Sequence, residues 1–184
     1  APAGGPDIKL LLVGALNYEP NEDAALFFAR HVLPALRQKL GGKLEVMIVG
    51  RSPPQTVRDL QQDPCISVHA DVPSVEAYYA RADIVIAPIR FGGGTRIKII
   101  EAMAMGRPVV STRIGAEGLD LTDGEHLLLA DTGDAFAAAC LRLATDAGLR
   151  SRLALAGHAV FHAQYEEGRV RDHCAGRMRQ LMVK

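Results

Sequence analysis

Gly92, Gly93, Gly94, Thr95, Arg96, Lys98 and Glu101 fall within ten consecutive residues. Glycines lack a Cβ, so their backbone N–H groups can approach an anion closely and turn through positive φ at little cost. Arg96 offers a planar fork that fits a phosphate, and Lys98 a mobile point charge. A helix beginning near Thr95 would aim its positive end at whatever sits over the glycines. Glu101, between Ile100 and Ala102, is a carboxylate on a helix that must pack, so it needs partners; sugar hydroxyls would serve. Together these types and spacings describe a phosphate-and-sugar site. Simpler readings stand beside it: Glu101 pairing with Lys98 three residues back, and the glycines making no more than a turn.

Such a site needs a frame, and the flanking residues supply one. Ile84 to Ile89 is an apolar run that reads as a buried strand, and Gly106 followed by Pro108 is a helix stop. Ile8–Val13 and Leu44–Val49 are further continuous apolar runs, each ending in glycine, as expected of strands covered on both faces. Shorter strands are predicted at Ile66–His69, Asp83–Ala87, Pro108–Ser111 and Leu127–Ala130. Helices are predicted over Asn21–Leu40, capped by Asn21 and kinked at Pro34, from Pro53 or Pro54 through Leu60, over Ser74–Arg81, and from a Thr132 or Asp134 cap to Thr145. Helical pattern continues from Gly148 toward the C-terminus. Alternation of strand and helix predicts an α/β fold: a Rossmann-like parallel sheet in three layers, with helices on both faces. Ligands in such sheets bind at the carboxyl ends of the strands. The loops there begin at Gly14, Gly50, Ala70, Phe91 and Thr112, and all five are expected to line one rim.

Composition narrows the function classes. The 184 residues are 48% apolar, enough for one sizeable core. Residues 1–7 read as a flexible lead-in, and 8–184 as one domain. The chain does not open on Met, which suggests a processed form or a piece of something longer. Lys plus Arg equals Asp plus Glu at 21 each, so no global field attracts nucleic acid. Trp is absent and aromatics make up 5%, which disfavours stacking platforms for single strands. Cys65, Cys140 and Cys174 are three, far apart and without zinc spacing, pointing to a reducing, cytoplasmic setting. His158, His162 and Glu166 share a helical face and read as solvated, with no metal expected. His126 reads as structural. Arg51, just after the second strand, is within reach of a ligand's base or phosphate, and His69, the last residue of the third strand before Ala70-Asp71, is a further candidate contact.

The block Glu101-Ala-Met-Ala-Met-Gly-Arg-Pro-Val-Val-Ser-Thr112, followed by Gly115-Ala-Glu-Gly118, resembles the C-terminal domain of the retaining group 1 (family 4) glycosyltransferases of GT-B fold. Tyr78, Arg81-Ala-Asp83, Pro88 and the opening Leu12-Val-Gly-Ala-Leu16 fit as well. The resemblance runs from about Ile8 to Lys184. It implies a two-domain enzyme whose active site lies between the halves. This half would bind a nucleotide-sugar donor without a metal or other cofactor; the acceptor half would precede it and is missing from this chain. By that resemblance Glu101 would hold ribose hydroxyls. The family's first glutamate, eight positions earlier, falls at Gly93, and its arginine and lysine after the first strand fall at Ala15 and near Asn21.

The expected donor site therefore comprises Gly14, Arg51, Gly92, Gly93, Gly94, Thr95, Arg96, Lys98 and Glu101. Arg96 and Lys98 are expected to act in catalysis, replacing the missing cations from the opposite side. The basic residues Arg169, Arg171, Arg177, Arg179 and Lys184 read as a solvated helix face, or as a surface meeting the missing half or an anionic membrane near a lipid-linked acceptor at the inner face of the membrane. Alternatives to the transferase are a non-catalytic nucleotide-sugar-binding or scaffolding module, half of a sugar-nucleotide epimerase, and a receiver-type signalling domain. The last lacks the acidic pocket expected after the first strand.

Overall fold

The computed structural model describes residues 8–41, 43–94 and 96–166. Six strands form one parallel sheet: β1 (Ile8–Ala15), β2 (Leu44–Arg51), β3 (Ile66–Ala70), β4 (Ile84–Ala87), β5 (Val109–Ser111) and β6 (Leu128–Leu129). Their order is β3-β2-β1-β4-β5-β6. The chain thus builds outward from β1 in one direction, returns, and builds outward in the other. The crevice between β1 and β4 is the point where strand order reverses, the usual place for a ligand in an open parallel sheet.

Strand periodicity sorts the apolar runs onto two faces. Leu10, Leu12, Val46, Ile48, Ile84 and Ile86 face one buried cluster. Leu11, Val13, Met47, Val49 and Val85 face the other. The first cluster is covered by α1 (Glu19–Phe27), α2 (Leu33–Leu40), α6 (Gly133–Thr145) and α7 (Ala147–Val160), through residues such as Phe27, Leu36, Phe136 and Leu153. The second is covered by α4 (Glu76–Arg81) and α5 (Ile97–Ala104), through Tyr79, Ile99, Ala102 and Met103. This is the predicted three-layer arrangement. The short α3 (Gln55–Arg58) continues into a tighter turn over Asp59–Gln62.

Several boundaries differ from those expected. The first helix starts at Glu19, and Tyr18 rather than Asn21 occupies the cap position. Pro20 sits in the first turn, where its missing N–H costs nothing. That choice moves Asn21 inside the helix and frees its side chain for other bonds. The break near Pro34 is a widened, π-helical turn over Phe28–Val32, after which Pro34 enters the first turn of α2. A proline ring clashes with the carbonyl of a regular preceding turn, and the widened turn removes that conflict. The fourth helix starts two residues later than predicted, at Glu76, and the strand before the glycines ends at Ala87, short of Pro88. Thr132 does cap α6, its Oγ1 accepting from Ala135 N at 3.3 Å. Asp146 caps α7 in the same way.

Candidate functional site

A cleft of about 300 Å³ opens at the β1–β4 crevice. Tyr18, Pro20 and Asn21 line it from the β1 side. Ile89, Gly93, Gly94, Arg96 and Lys98 line it from the β4 side, and Gly115 closes it beyond β5. Of the five loops expected to share one rim, those after β1, β4 and β5 line the cleft. The loops after β2 and β3 do not, because they lie outward of β1 in the sheet order.

Local chemistry explains how the loops are held. Gly92 has φ +92°, and a Cβ there would lie 2.5 Å from Pro20 Cγ. The Gly-rich loop can therefore lie against the start of α1 only with glycine at this position. Tyr18 reaches over, its hydroxyl donating to Gly93 O at 3.3 Å. Arg90 grips Asp23 with its Nε 2.9 Å from Oδ2 and stacks over the Phe27 ring at 4.8 Å. Thr112 donates from Oγ1 to Ile89 O and accepts from Gly115 N, tying the third loop to the second.

The predicted α5 runs for eight residues from Ile97. Ile99, Ala102 and Met103 are buried against the sheet, which leaves Lys98 and Glu101, three apart, on the opposite flank. The helix stops at Gly106 as expected, with Gly106 N bonded to Met103 O and Arg107 N to Ala102 O. Thr95, the expected cap, lies outside the described residues, as do residues 1–7 and the basic residues Arg169, Arg171, Arg177, Arg179 and Lys184.

Arg96 has only 10% of its side chain exposed and pairs with Glu117 Oε2 at 3.4 Å, while Glu117 itself is 73% exposed. Arg96 Nε is buried with no hydrogen-bond partner. A buried guanidinium with an unused donor beside a cleft is well placed to take an anion. The Lys98 ammonium donates to Asn21 Oδ1 at 2.5 Å, and Asn21 Nδ2 donates to Ala15 O at 2.9 Å. Burial lowers Lys98 from its ordinary value to about 8; Arg96 pushes the same way, and Glu101 opposes both. The Lys98–Glu101 ion pair is not formed. Glu101 instead accepts from the Tyr79 hydroxyl, Oε2 to Oη 2.8 Å.

The structure therefore brings together Gly93, Gly94, Arg96 and Lys98 around the cleft, with Gly14 directly behind Asn21: a Cβ on Gly14 would lie 2.8 Å from the Asn21 side chain. Glu101 stands on the same flank, half-buried, one turn behind Lys98. Arg51 ends β2, is exposed and does not line the cleft. His69 is turned to its neighbours, stacked on Tyr78 at 4.8 Å and bonded to Ser67 Oγ at 3.0 Å. His126 accepts from Thr122 N through Nδ1 at 3.0 Å and shapes a turn. His158 and His162 contact each other, Nε2 to Nε2 3.3 Å, with Glu166 3.4 Å from His162.

Tyr18, Tyr79 and Glu117 were missed as site residues. The available signal was a tyrosine in the loop after the first strand, and a carboxylate inside the Gly115-Ala-Glu-Gly118 segment. Nothing local marked Tyr79.

Comparison with known proteins bears on the family and the fold. The lipopolysaccharide core biosynthesis glycosyltransferase LpsE of Rhizobium meliloti (strain 1021) is 41% identical over 76 residues, 40% of this chain and 22% of that protein. The chain thus matches less than a quarter of that relative's length. Among solved structures, the C-terminal domain of a group 1 glycosyl transferase (LpcC) from Francisella tularensis superposes with a TM-score of 0.71 at 18% identity, covering 88% of each chain. Anabaena HepE, solved in complex with UDP, superposes at 0.74 with 14% identity, covering 95% of this chain and 49% of that one. The fold is that of the C-terminal, Rossmann-like half of a GT-B glycosyltransferase. The family described as "Glycosyl transferases group 1" matches residues 7–146, well over half of the sequence, and the chain belongs to it.

Proposed function

We propose that this chain is the donor-binding half of a glycosyltransferase that moves a sugar from a nucleotide-sugar to an acceptor with retention of configuration. The observation that carries this reading is the cleft at the strand-order reversal, faced by an under-bonded Arg96 and by Lys98. The donor's diphosphate would lie beside Gly94 against these two cations, with Gly93 toward the transferred sugar, and Glu101 would take the ribose. The acceptor hydroxyl attacks the anomeric carbon as the bond to the diphosphate oxygen breaks, and its proton passes to that departing oxygen. Retention requires that it arrive on the face the leaving group departs from. Negative charge then grows on the diphosphate, where fixed cations in a water-poor cleft stabilise it most. No step of this scheme is routed through a metal.

The acceptor would come from a second domain, in keeping with a chain that spans about half of HepE. Four large apolar side chains on the cleft's loops and at the start of α5 stand open to receive it: Tyr18, Phe91, Ile97 and Ile114, each at least 40% exposed. The naming of LpsE for lipopolysaccharide core biosynthesis supports a polysaccharide product and an acceptor near a membrane surface. No helix among the described residues is long and apolar enough to cross a membrane.

A non-catalytic nucleotide-sugar-binding module is the second reading. It draws on Ala15, Asn21 and Gly93, which stand where the family carries charges. Transfer activity of the chain joined to its acceptor half separates the two. The first test is calorimetric titration with UDP, GDP and ADP. One nucleotide is expected to bind, at least tenfold more weakly to Arg96→Ala, since a charge-assisted hydrogen bond is worth about 1.5–3 kcal/mol. Equal binding by the two proteins would remove the diphosphate from Arg96.

A further inference from the structure

Tyr79 is 1% exposed, within the cluster that α4 and α5 bury against the sheet. A phenylalanine would fill the same space. The hydroxyl is thus an addition that packing does not ask for, and a buried hydroxyl costs stability unless it is bonded. Its bonds are therefore informative. It donates to Glu101 Oε2 at 2.8 Å and, more weakly, to Lys98 O at 3.2 Å. Both partners belong to α5: Lys98 lines the cleft, and Glu101 lies one turn further along the helix.

The consequence falls on Glu101. With Oε2 held, rotation of the carboxylate about its last bond is stopped, and Oε1 has no hydrogen-bond donor from the protein among the described residues. Lys98, the nearest cation along the helix, gives its ammonium to Asn21 instead. One oxygen of a half-buried carboxylate is thus fixed and the other left open. Burial, and secondarily the charge of Glu101, push the Tyr79 phenol far above its ordinary range, so it stays a donor throughout the working pH range.

We propose that Tyr79 is a positioning residue: it holds one oxygen of Glu101 so that the other meets the ribose hydroxyls of a nucleoside diphosphate. This rests on the donor-site reading above and adds to it a residue with no ligand contact of its own. An oriented acceptor discriminates strongly against a ligand that lacks the matching hydroxyl, because the site is then left unpaired.

The test compares wild type, Glu101→Gln and Tyr79→Phe by calorimetry. The probes are whichever of UDP, GDP or ADP binds, its 2′-deoxy and 3′-deoxy counterparts, and pyrophosphate. Wild type is expected to prefer the ribose form over at least one deoxy form by tenfold or more. Glu101→Gln should flatten that preference. Tyr79→Phe should cut it at least threefold while leaving pyrophosphate affinity unchanged, a pattern that a merely structural role would not produce. Full preference in Tyr79→Phe alongside its loss in Glu101→Gln would overturn the positioning role and leave the donor site standing. A joint loss of pyrophosphate and ribose-dependent binding in Tyr79→Phe would also overturn it, since Tyr79 would then support α5 as a whole. Retained preference in Glu101→Gln would remove Glu101 from the ribose and the proposal with it. Absence of all nucleotide binding in wild type would sink both this proposal and the donor-site reading.

Discussion

The two walls of the cleft are built from the same kind of unit, a strand, a glycine-containing loop and a helix, yet they divide the work unequally. On the β1 side the polar groups are neutral. Tyr18 is bonded to Gly93 O, and Asn21 is shared between Ala15 O and Lys98. On the β4 side two of the lining residues, Arg96 and Lys98, carry full charges, and Glu101 follows one turn behind Lys98. On the proposed reading the neutral wall would act as a template and the charged wall as the reagent. Asn21 accepts the ammonium of Lys98 without neutralising it. A carboxylate in that place would cancel the charge an anion needs, and a lysine would repel it.

The sharpest way to break that comparison is to move the charge across. Lys98→Ala is expected to weaken nucleoside diphosphate binding by about tenfold or more, the loss of one charge-assisted bond. Asn21→Lys added to Lys98→Ala places an ammonium on the opposite wall and should recover at least half of that loss on a logarithmic scale. Asn21→Lys alone should bind no better than wild type, because two ammonium groups would then contest one position. Calorimetric titration of the four proteins closes the cycle. No recovery in the double variant would mean that the side on which the cation sits is essential.

A second effect, smaller and graded, comes from titrating Lys98 where it is. Its ammonium is lowered from 10.5 to about 8, by burial first and then by Arg96. Between those values the unfolded chain keeps a proton that the folded protein has released. The unliganded protein should therefore gain stability from this group as pH rises through that window, and lose it as pH falls through about 8. Nucleotide affinity runs the other way. An anion favours the charged form, so affinity is full below about 8 and declines above it. Titrations at pH 7 and pH 9.5 should show wild type weakening about threefold or more and Lys98→Ala holding nearly constant. Parallel slopes in the two proteins would take the effect away from Lys98.

The sequence was most legible where one residue type had to repeat. Ile8–Val13 and Leu44–Val49 announce buried strands because both faces of β1 and β2 are covered, and Gly106 stops α5 because the turn that follows demands it. Arg96 and Lys98 could be placed beside the glycines because they share a few residues of chain. What stayed hidden was set by contacts between distant segments. Asn21 looks like a helix cap until Pro20 is seen to start the helix earlier, which turns the amide toward Lys98, 77 positions away. The bond from Tyr79 to Glu101 spans 22 positions and leaves no mark on either local pattern. Arg51 shows the reverse case, a residue whose local position says less than the sheet order. Its position after a strand resembled a ligand contact, but only the strand order reveals that β2 lies one step outside the crevice.

The finest distinction between the walls lies at Gly93, where the family's first glutamate would stand. Gly93 is exposed, and a Cβ built there meets nothing within 4 Å, so sterics do not exclude a side chain. Its neighbour Gly92 is different, for a Cβ there would strike Pro20. Gly93→Glu is therefore expected to change stability by no more than about 0.5 kcal/mol, the ordinary range for an unconstrained surface change. Gly92→Ala should cost more. Affinity for the bare nucleoside diphosphate should change less than threefold in Gly93→Glu, because Arg96 and Lys98 keep their places. The difference between nucleotide and nucleotide-sugar affinity should change, since the new carboxylate would face the transferred sugar's hydroxyls. Thermal melts and paired titrations measure both quantities. A collapse of bare nucleotide binding would mean instead that Gly93 lies beneath the diphosphate. Its glycine would then be part of the charged wall's anion loop rather than a vacant sugar contact.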